Sequence, residues 1–239
     1  MKNRILQAAV ELIAEEGFQN LSMRKIASRM NISAPTIYYY YANKDELNIA
    51  IRKRAGEMLY RRLSAAYRSG RDVKEKGWRM VKAYLDFGLG MPDYYAIMFD
   101  STAPKHSDYV GTELEEAARE ELVSSMRNAE LMWKILGEFE QAGYMVPDEI
   151  ERMGMVLWSE LHGLVSLHNN NLFREIGYPA RKDVYETAKL YYETFLAVFD
   201  PHSGWIRNGT PGPAGRTEGG ARGRAPDSRR DAEGRSKRP

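Results

Sequence analysis

Residues 4–47 read RILQAAVELIAEEGFQNLSMRKIASRMNISAPTIYYYYANKDEL, and the fold follows from the spacing of apolar residues and caps within them. Ile5, Ala9, Leu12 and Ile13 recur at helical intervals on one face. Gly17 ends that helix after Glu15 and Glu16, because glycine takes a left-handed cap without steric penalty. Ser22 is placed to cap a second helix, with Ile26, Ala27 and Met30 on its buried side and Arg24, Lys25 and Arg29 left polar. Asn31, Ile32 and Ser33 leave room only for a tight turn, and Asn31 tolerates positive φ. Ser33 can cap a short third helix with Pro35 in its first turn, where the missing amide costs little. Asn43-Lys44-Asp45-Glu46 opens a fourth helix as a capping box. Its stripe of Leu47, Ala50, Ile51, Ala55, Met58, Leu59 and Leu63 carries it to about Tyr67.

The third helix is chemically unusual. Ile37 and Tyr41 fall on its core side with Tyr38 and Tyr40 flanking them, while Pro35, Thr36 and Tyr39 point the other way. Small residues, a hydroxyl and an amphipathic ring suit a DNA major groove, where Thr and apolar atoms meet thymine methyls and Tyr hydroxyls reach phosphates. Tyr41, and in part Tyr40, read as core. Lys44 at the start of the fourth helix adds its charge to free amides and is placed as a phosphate anchor.

Taken together, Arg4–Ala9, Glu15–Phe18, Leu21–Ala27, Ile32-Ser33, Thr36–Tyr41 and Asn43–Leu47 resemble the N-terminal domain of the tetracycline-repressor (TetR) family of bacterial transcription regulators. The usual turn glycine is here Asn31, and the His-Phe pair that often ends the third helix is Tyr40-Tyr41. The resemblance implies a helix-turn-helix domain over residues 1–47 in which Arg24, Ser33, Ala34, Pro35, Thr36, Tyr38, Tyr39 and Lys44 contact operator DNA. Only Lys2 and Arg4 are available for a minor-groove arm.

Charge is distributed in keeping with that division. Residues 1–68 hold 12 Lys/Arg against 6 Asp/Glu, residues 69–200 hold 14 against 23, and residues 201–239 hold 9 against 4. The net charge of +2 therefore hides a basic end, an acidic body and a basic tail. The acidic body and DNA repel, so the N-terminal unit should orient docking, with a marked salt dependence.

Residues 48–200 read as helical throughout, which makes the expected fold all-α. Trp78, Val81, Leu85 and Leu89 form one stripe, followed by an expected break at Gly88–Pro92 and a short helix over Tyr94–Phe99. A longer helix is expected from Thr112 to Ala142, another from Pro147 to Asn169-Asn170-Asn171, and a last one through Val184–Phe199. In the family the last two pair with their symmetry mates, which implies a homodimer. The candidate contacts are Val156, Glu160, Leu164, Leu167, Val184, Ala188, Tyr191 and Phe195, with intrachain core as their other use.

Large adaptable side chains crowd the same body. Tyr84, Phe87, Met91, Tyr94, Tyr95, Met98, Phe99, Met126, Met132, Trp133, Met155 and Trp158 exceed what a small bundle needs, and an effector pocket is expected among them, with Tyr84, Phe87, Met91, Tyr94, Tyr95, Met98, Met132, Trp133, Trp158 and His162 as its candidate lining. Trp158, His162 and Gly163 fall at W-x3-H-G, resembling a subgroup of the family's C-terminal domains. Trp158 and His162 share a helix face; His162 can hydrogen-bond a ligand or serve structurally, and Gly163 permits close approach of a helix. His162 and His168 lie on opposite sides of that helix, so no metal site is expected, and no cofactor is implied.

Other function classes find little support. There is no nucleophile elbow, phosphate loop or zinc-ligand motif, and zero cysteine excludes disulfides and thiol catalysis. No stretch approaches the roughly 18 apolar residues of a membrane span, and the first helix begins without a signal peptide, so the cytoplasm, on the nucleoid, is the expected location. The tail from residue 201 to 239 is rich in Gly, Arg, Pro and Ser and is expected to be disordered. The resulting expectation is a repressor released from its operator by an apolar or aromatic molecule, with the fourth helix as lever. The alternative is an architectural or partner-regulated DNA-binding dimer without a ligand.

Overall fold

The computed structural model describes residues 1–99, 102–144, 150–178 and 180–200. Pro147 as a helix start, and the tail from residue 201, lie outside the described residues. Among the described residues the regular structure is helical, without strands.

The DNA-reading unit is built from α1 (Lys2–Glu16), a 3-10 turn (Phe18–Asn20), α2 (Met23–Arg29) and α3 (Ala34–Tyr38). Gly17 (φ 82) ends α1, and Asn31 (φ 54) makes the turn between α2 and α3. Ser22 caps α2 by accepting from the Lys25 amide at 3.2 Å. Ile5, Ile26 and Ile37 meet in the centre with no exposed surface. Ion pairs brace the unit from outside, Lys25 with Glu16 and Arg29 with Glu15 and, at 3.8 Å, with Glu11.

Helix α4 (Lys44–Ser69) leaves this unit and becomes the spine of the body, packing on α5 (Val73–Gly90) and α7 (Glu115–Gln141). Asn43 accepts from the Glu46 amide at 2.8 Å, while the Glu46 carboxylate accepts from the Ala42 amide at 2.6 Å. The box thus closes one residue earlier than the expected bond back to Asn43. The same arrangement opens α5, where Asp72 accepts from the Glu75 amide and Glu75 from the Arg71 amide.

Helix α6 (Pro92–Phe99) packs on α1, α4 and α5, so it touches both the DNA-reading unit and the body. Helix α8 (Ile150–Asn169) packs on α5 and α7, the short α9 (Leu172–Glu175) follows, and α10 (Arg181–Val198) covers α5 and α8. One connected apolar core runs from Ile5 to Tyr192.

Three boundaries differ from expectation. Helix α5 continues through Gly88 and Leu89 to Gly90, because Gly88 is where Val165 of α8 presses in: a Cβ there would lie 2.6 Å from Val165 Cγ1. The chain turns only when Met91 leaves helical geometry ahead of Pro92. Helix α7 begins at Glu115 rather than Thr112, whose hydroxyl is bonded to the Tyr109 carbonyl and the Leu114 amide. The asparagine triplet does stop α8, through Asn171 at φ 60, but α9 starts directly after it.

Candidate DNA interface and effector site

Tyr38 (52% exposed) and Tyr39 (83%) stand outside the unit, while Tyr41 is buried and Tyr40 half-buried. The Tyr39 ring is held edge-on to Tyr40 at 5.1 Å, which fixes its direction without covering it. Ser33 and Thr36 hydroxyls bond each other at 2.8 Å, Pro35 is exposed and Ala34 half-buried beside them. Arg24 is exposed at the start of α2 and, among the described residues, has no ion-pair partner, unlike Lys25 and Arg29. Lys44 is the exception to an open face. Its ammonium sits 4.4 Å from the Phe18 ring centroid and donates to the Phe18 carbonyl at 3.3 Å, so it must swing outward to reach a phosphate.

In the body, α5, α6 and α8 converge on a hydrogen-bonded aromatic cluster. The Tyr84 and Tyr95 hydroxyls lie 2.9 Å apart, and Tyr95 reaches His162 Nδ1 at 2.8 Å. Phe99 packs edge-on to His162 at 4.7 Å and against Tyr95 at 4.8 Å, with Trp158 at 6.0 Å beyond it. Burial pushes the Tyr84 phenol up to about 12 and raises Tyr95 well beyond the usual phenol range, so both hydroxyls stay protonated and can donate. Burial also holds the His162 imidazole below its usual range, leaving a neutral ring that can accept from Tyr95.

Several expected pocket residues fall elsewhere. Tyr94 turns away, because consecutive helical residues diverge by about 100°. Its hydroxyl donates to Gln7 Oε1 at 3.2 Å, and the Arg54 guanidinium lies 6.0 Å from its ring. Trp133 lies over Gly154 in the α7–α8 contact, and Met132 packs half-buried on the same core. Met91 meets Arg62, and Met98 lies half-buried near the end of α6, where Arg52 holds its carbonyl at 3.1 Å. Gln7, Arg54 and Arg62 carried no signal in the sequence, since each looks like an ordinary polar residue on a helix.

The expected dimer contacts also divide. Val184 and Ala188 are each 1% exposed and covered by this chain's own α5 and α8, so neither is available to a partner. Tyr191 and Phe195 line a cavity of about 30 Å³ with Leu136, Phe139, Met153, Leu157 and Tyr192. Leu164 is half-buried. Val156, Glu160 and Leu167 remain exposed on α8. Gly163 belongs to that same stripe. A Cβ there would meet nothing within 4 Å, so the close approach expected at this glycine is not made within the chain. An open depression of about 610 Å³ is lined by His168, Asn171, Arg174 and Gly177, and none of the expected effector contacts lines it or the small cavity. Among the described residues no cluster of three or more His, Asp or Glu could hold a metal, and no helix is long and apolar enough to cross a membrane.

A helix-turn-helix with two tyrosines exposed on its third helix, joined by one long helix to a helical body that holds a polar-aromatic cluster, is the architecture of a DNA-binding transcriptional regulator. Residues 5–51 match the bacterial regulatory proteins of the tetR family, and residues 78–188 match the tetracyclin repressor-like C-terminal domain. The chain belongs to the TetR family of bacterial transcriptional regulators. It is 29% identical over 118 residues to the HTH-type transcriptional activator FasR of Mycolicibacterium smegmatis, covering 49% of this chain and 51% of that protein. It is 33% identical over 73 residues to the fatty acid metabolism regulator protein of Bacillus subtilis, covering 30% and 38%. The chain thus spans about half the length, or less, of these curated relatives. Among solved structures, the regulator FadR of Bacillus subtilis in complex with stearoyl-CoA superposes with a TM-score of 0.63 at 19% identity, over 82% of this chain and 96% of that one. FadR of Bacillus halodurans superposes with a TM-score of 0.61 at 21% identity, over 82% and 94%. At these identities the likeness concerns the fold.

Proposed function

We propose that this regulator binds a palindromic operator as a homodimer, acts as a repressor in the cytoplasm on the nucleoid, and is released by an apolar or aromatic small molecule. The observation that carries the reading is the pair of adjacent tyrosines on α6. Tyr94 is bonded to α1 of the DNA-reading unit and Tyr95 to the half-buried His162 of α8, so whatever moves α6 is felt by both. An effector wedged among Tyr84, Tyr95, Phe99, Trp158 and His162 therefore biases the placement of α1 and α3. The exposed Val156, Glu160 and Leu167 of α8, with the half-buried Gly163 among them, support pairing of two copies, because the bare glycine lets a partner helix come close. One relative named for fatty acid metabolism, and a fold relative holding stearoyl-CoA, favour an apolar chain as the effector body.

The test is to incubate the purified full-length protein with fragmented DNA of its source organism at physiological salt and sequence what stays bound. Enrichment of one or a few inverted repeats is expected, with a reporter behind that repeat silenced by the protein. Uniform recovery would favour the architectural alternative, and reporter activation would replace repression.

A further inference from the structure

The half-buried guanidinium of Arg62, midway along α4, has no counter-charge among the described residues. It lies 5.5 Å from the ring centroid of the fully buried Phe87. Nη1 donates to the Met58 carbonyl at 3.5 Å, and Nη2 approaches the Met91 sulfur at 3.6 Å. Among the described residues no carboxylate oxygen comes within 4.0 Å of it. Two other half-buried cations of the body are neutralised, Arg52 at 3.6 Å from Glu121 and Lys76 at 2.8 Å from Glu138; Arg54, which also has no ion pair among the described residues, instead donates to Asn3 Oδ1 at 2.9 Å. A guanidinium carries five N–H donors and remains charged, and here most of that fork is unspent. Taking it partly out of water costs stability that the Phe87 face offsets only in part. Such a position suits a site whose anion arrives from outside.

The neighbours of Arg62 connect it to the aromatic cluster. The Phe87 ring is 6.4 Å from Tyr95, which packs on Phe99 and His162. Met91 covers the guanidinium at the C-cap of α5, and its unbranched thioether can be displaced at little cost. We infer that Arg62 is the anion-binding residue of the effector site. The effector then carries one anionic group at Arg62 and an apolar body running past Phe87 toward Tyr95 and Phe99. This inference rests on the effector reading above.

Three C12 probes separate the possibilities: dodecanoate, dodecanoyl-CoA and uncharged dodecanol, titrated into full-length wild type, Arg62→Gln and Arg62→Lys by calorimetry, with circular dichroism and melting to check each fold. At least one charged probe should bind wild type about tenfold or more tighter than dodecanol, the range of a charge-assisted hydrogen bond. Arg62→Gln should remove that advantage and leave dodecanol binding intact. Arg62→Lys should restore part of it, and it carries the comparison alone if the Gln variant does not fold. Preference for dodecanoate identifies a free carboxylate, and preference for the thioester identifies a phosphate-bearing head. Equal binding of all three probes, unchanged in both variants, overturns the role of Arg62 while an apolar effector stands. Failure of all three to bind wild type overturns both.

Discussion

Tyr95 and His162 are joined twice, by a hydroxyl 2.8 Å from Nδ1 and by rings stacked at 23° with centroids 5.6 Å apart. Tyr95 is 3% exposed and also meets the Tyr84 hydroxyl, so it is the middle of a buried polar chain. Tyr95→Phe keeps the stacking and strands both neighbours. It should lower unfolding free energy by about 1–3 kcal/mol, the cost of leaving buried polar groups unpaired. Urea unfolding measures it; a loss below about 0.5 kcal/mol would mean that water or a rotamer change re-satisfies the chain.

The imidazole gives that chain a pH dependence. Burial depresses the folded value of His162, so the unfolded chain takes up a proton sooner than the folded one as pH falls. Stability is therefore unaffected above the unfolded value, about 6.5, and is lost as pH drops below it. His162→Gln should flatten this component, giving a smaller shift of the urea midpoint between pH 7.5 and 5.5 than wild type. Equal shifts in the two proteins would show that His162 is not depressed.

The DNA-reading unit was legible because its information is local. Ser22, Asn31, Pro35 and Asn43 each act on backbone within a few residues, and each sits where its chemistry requires. The effector cluster was legible only as a composition. Periodicity placed Trp158 and His162 on one face, but no local rule says that Tyr95 faces α8 while Tyr94 faces α1, since that depends on where α6 docks. Val184 and Ala188 stayed open between a dimer contact and intrachain core for a related reason. An apolar stripe states that something covers it, and here α5 and α8 of the same chain do so.

Tyr94 offers a direct measure of coupling between body and DNA unit. The Gln7–Tyr94 contact is a single hydrogen bond at 3.2 Å, and among the described residues the Gln7 side chain otherwise bonds only Glu11 on its own helix. In a double-mutant cycle of Gln7→Ala with Tyr94→Phe, an interaction energy of about 0.5–1.5 kcal/mol is expected. Gln7→Ala with Tyr95→Phe should instead be additive within about 0.5 kcal/mol, because those side chains share no bond. A purely additive first cycle would remove Tyr94 as the link.

Gly163 separates folding from assembly. A Cβ there meets nothing within 4 Å, so Gly163→Leu should leave the melting temperature of the subunit unchanged or raised, given the better helix propensity of leucine. If two α8 helices pack across Val156, Glu160 and Leu167, the same substitution holds them apart and weakens the dimer. Sedimentation over a range of concentrations reads the result directly. A dimer as tight as wild type would place the interface on another face.

The groove face makes the sharpest demand on affinity. Tyr39 is 83% exposed, so Tyr39→Ala should not alter stability, yet it should weaken operator binding by about 1–3 kcal/mol if the ring contacts base edges. Lys44 differs, because its ammonium now rests on Phe18 and its carbonyl. Lys44→Ala should weaken binding evenly across DNA sequences and reduce the slope of log affinity against log salt by about 1 per subunit, the signature of one lost phosphate contact. Both variants must remain helical dimers for the comparison to stand. Fluorescence anisotropy on the recovered repeat at several salt concentrations decides: wild-type affinity in both variants would move the DNA face away from α3 and the start of α4.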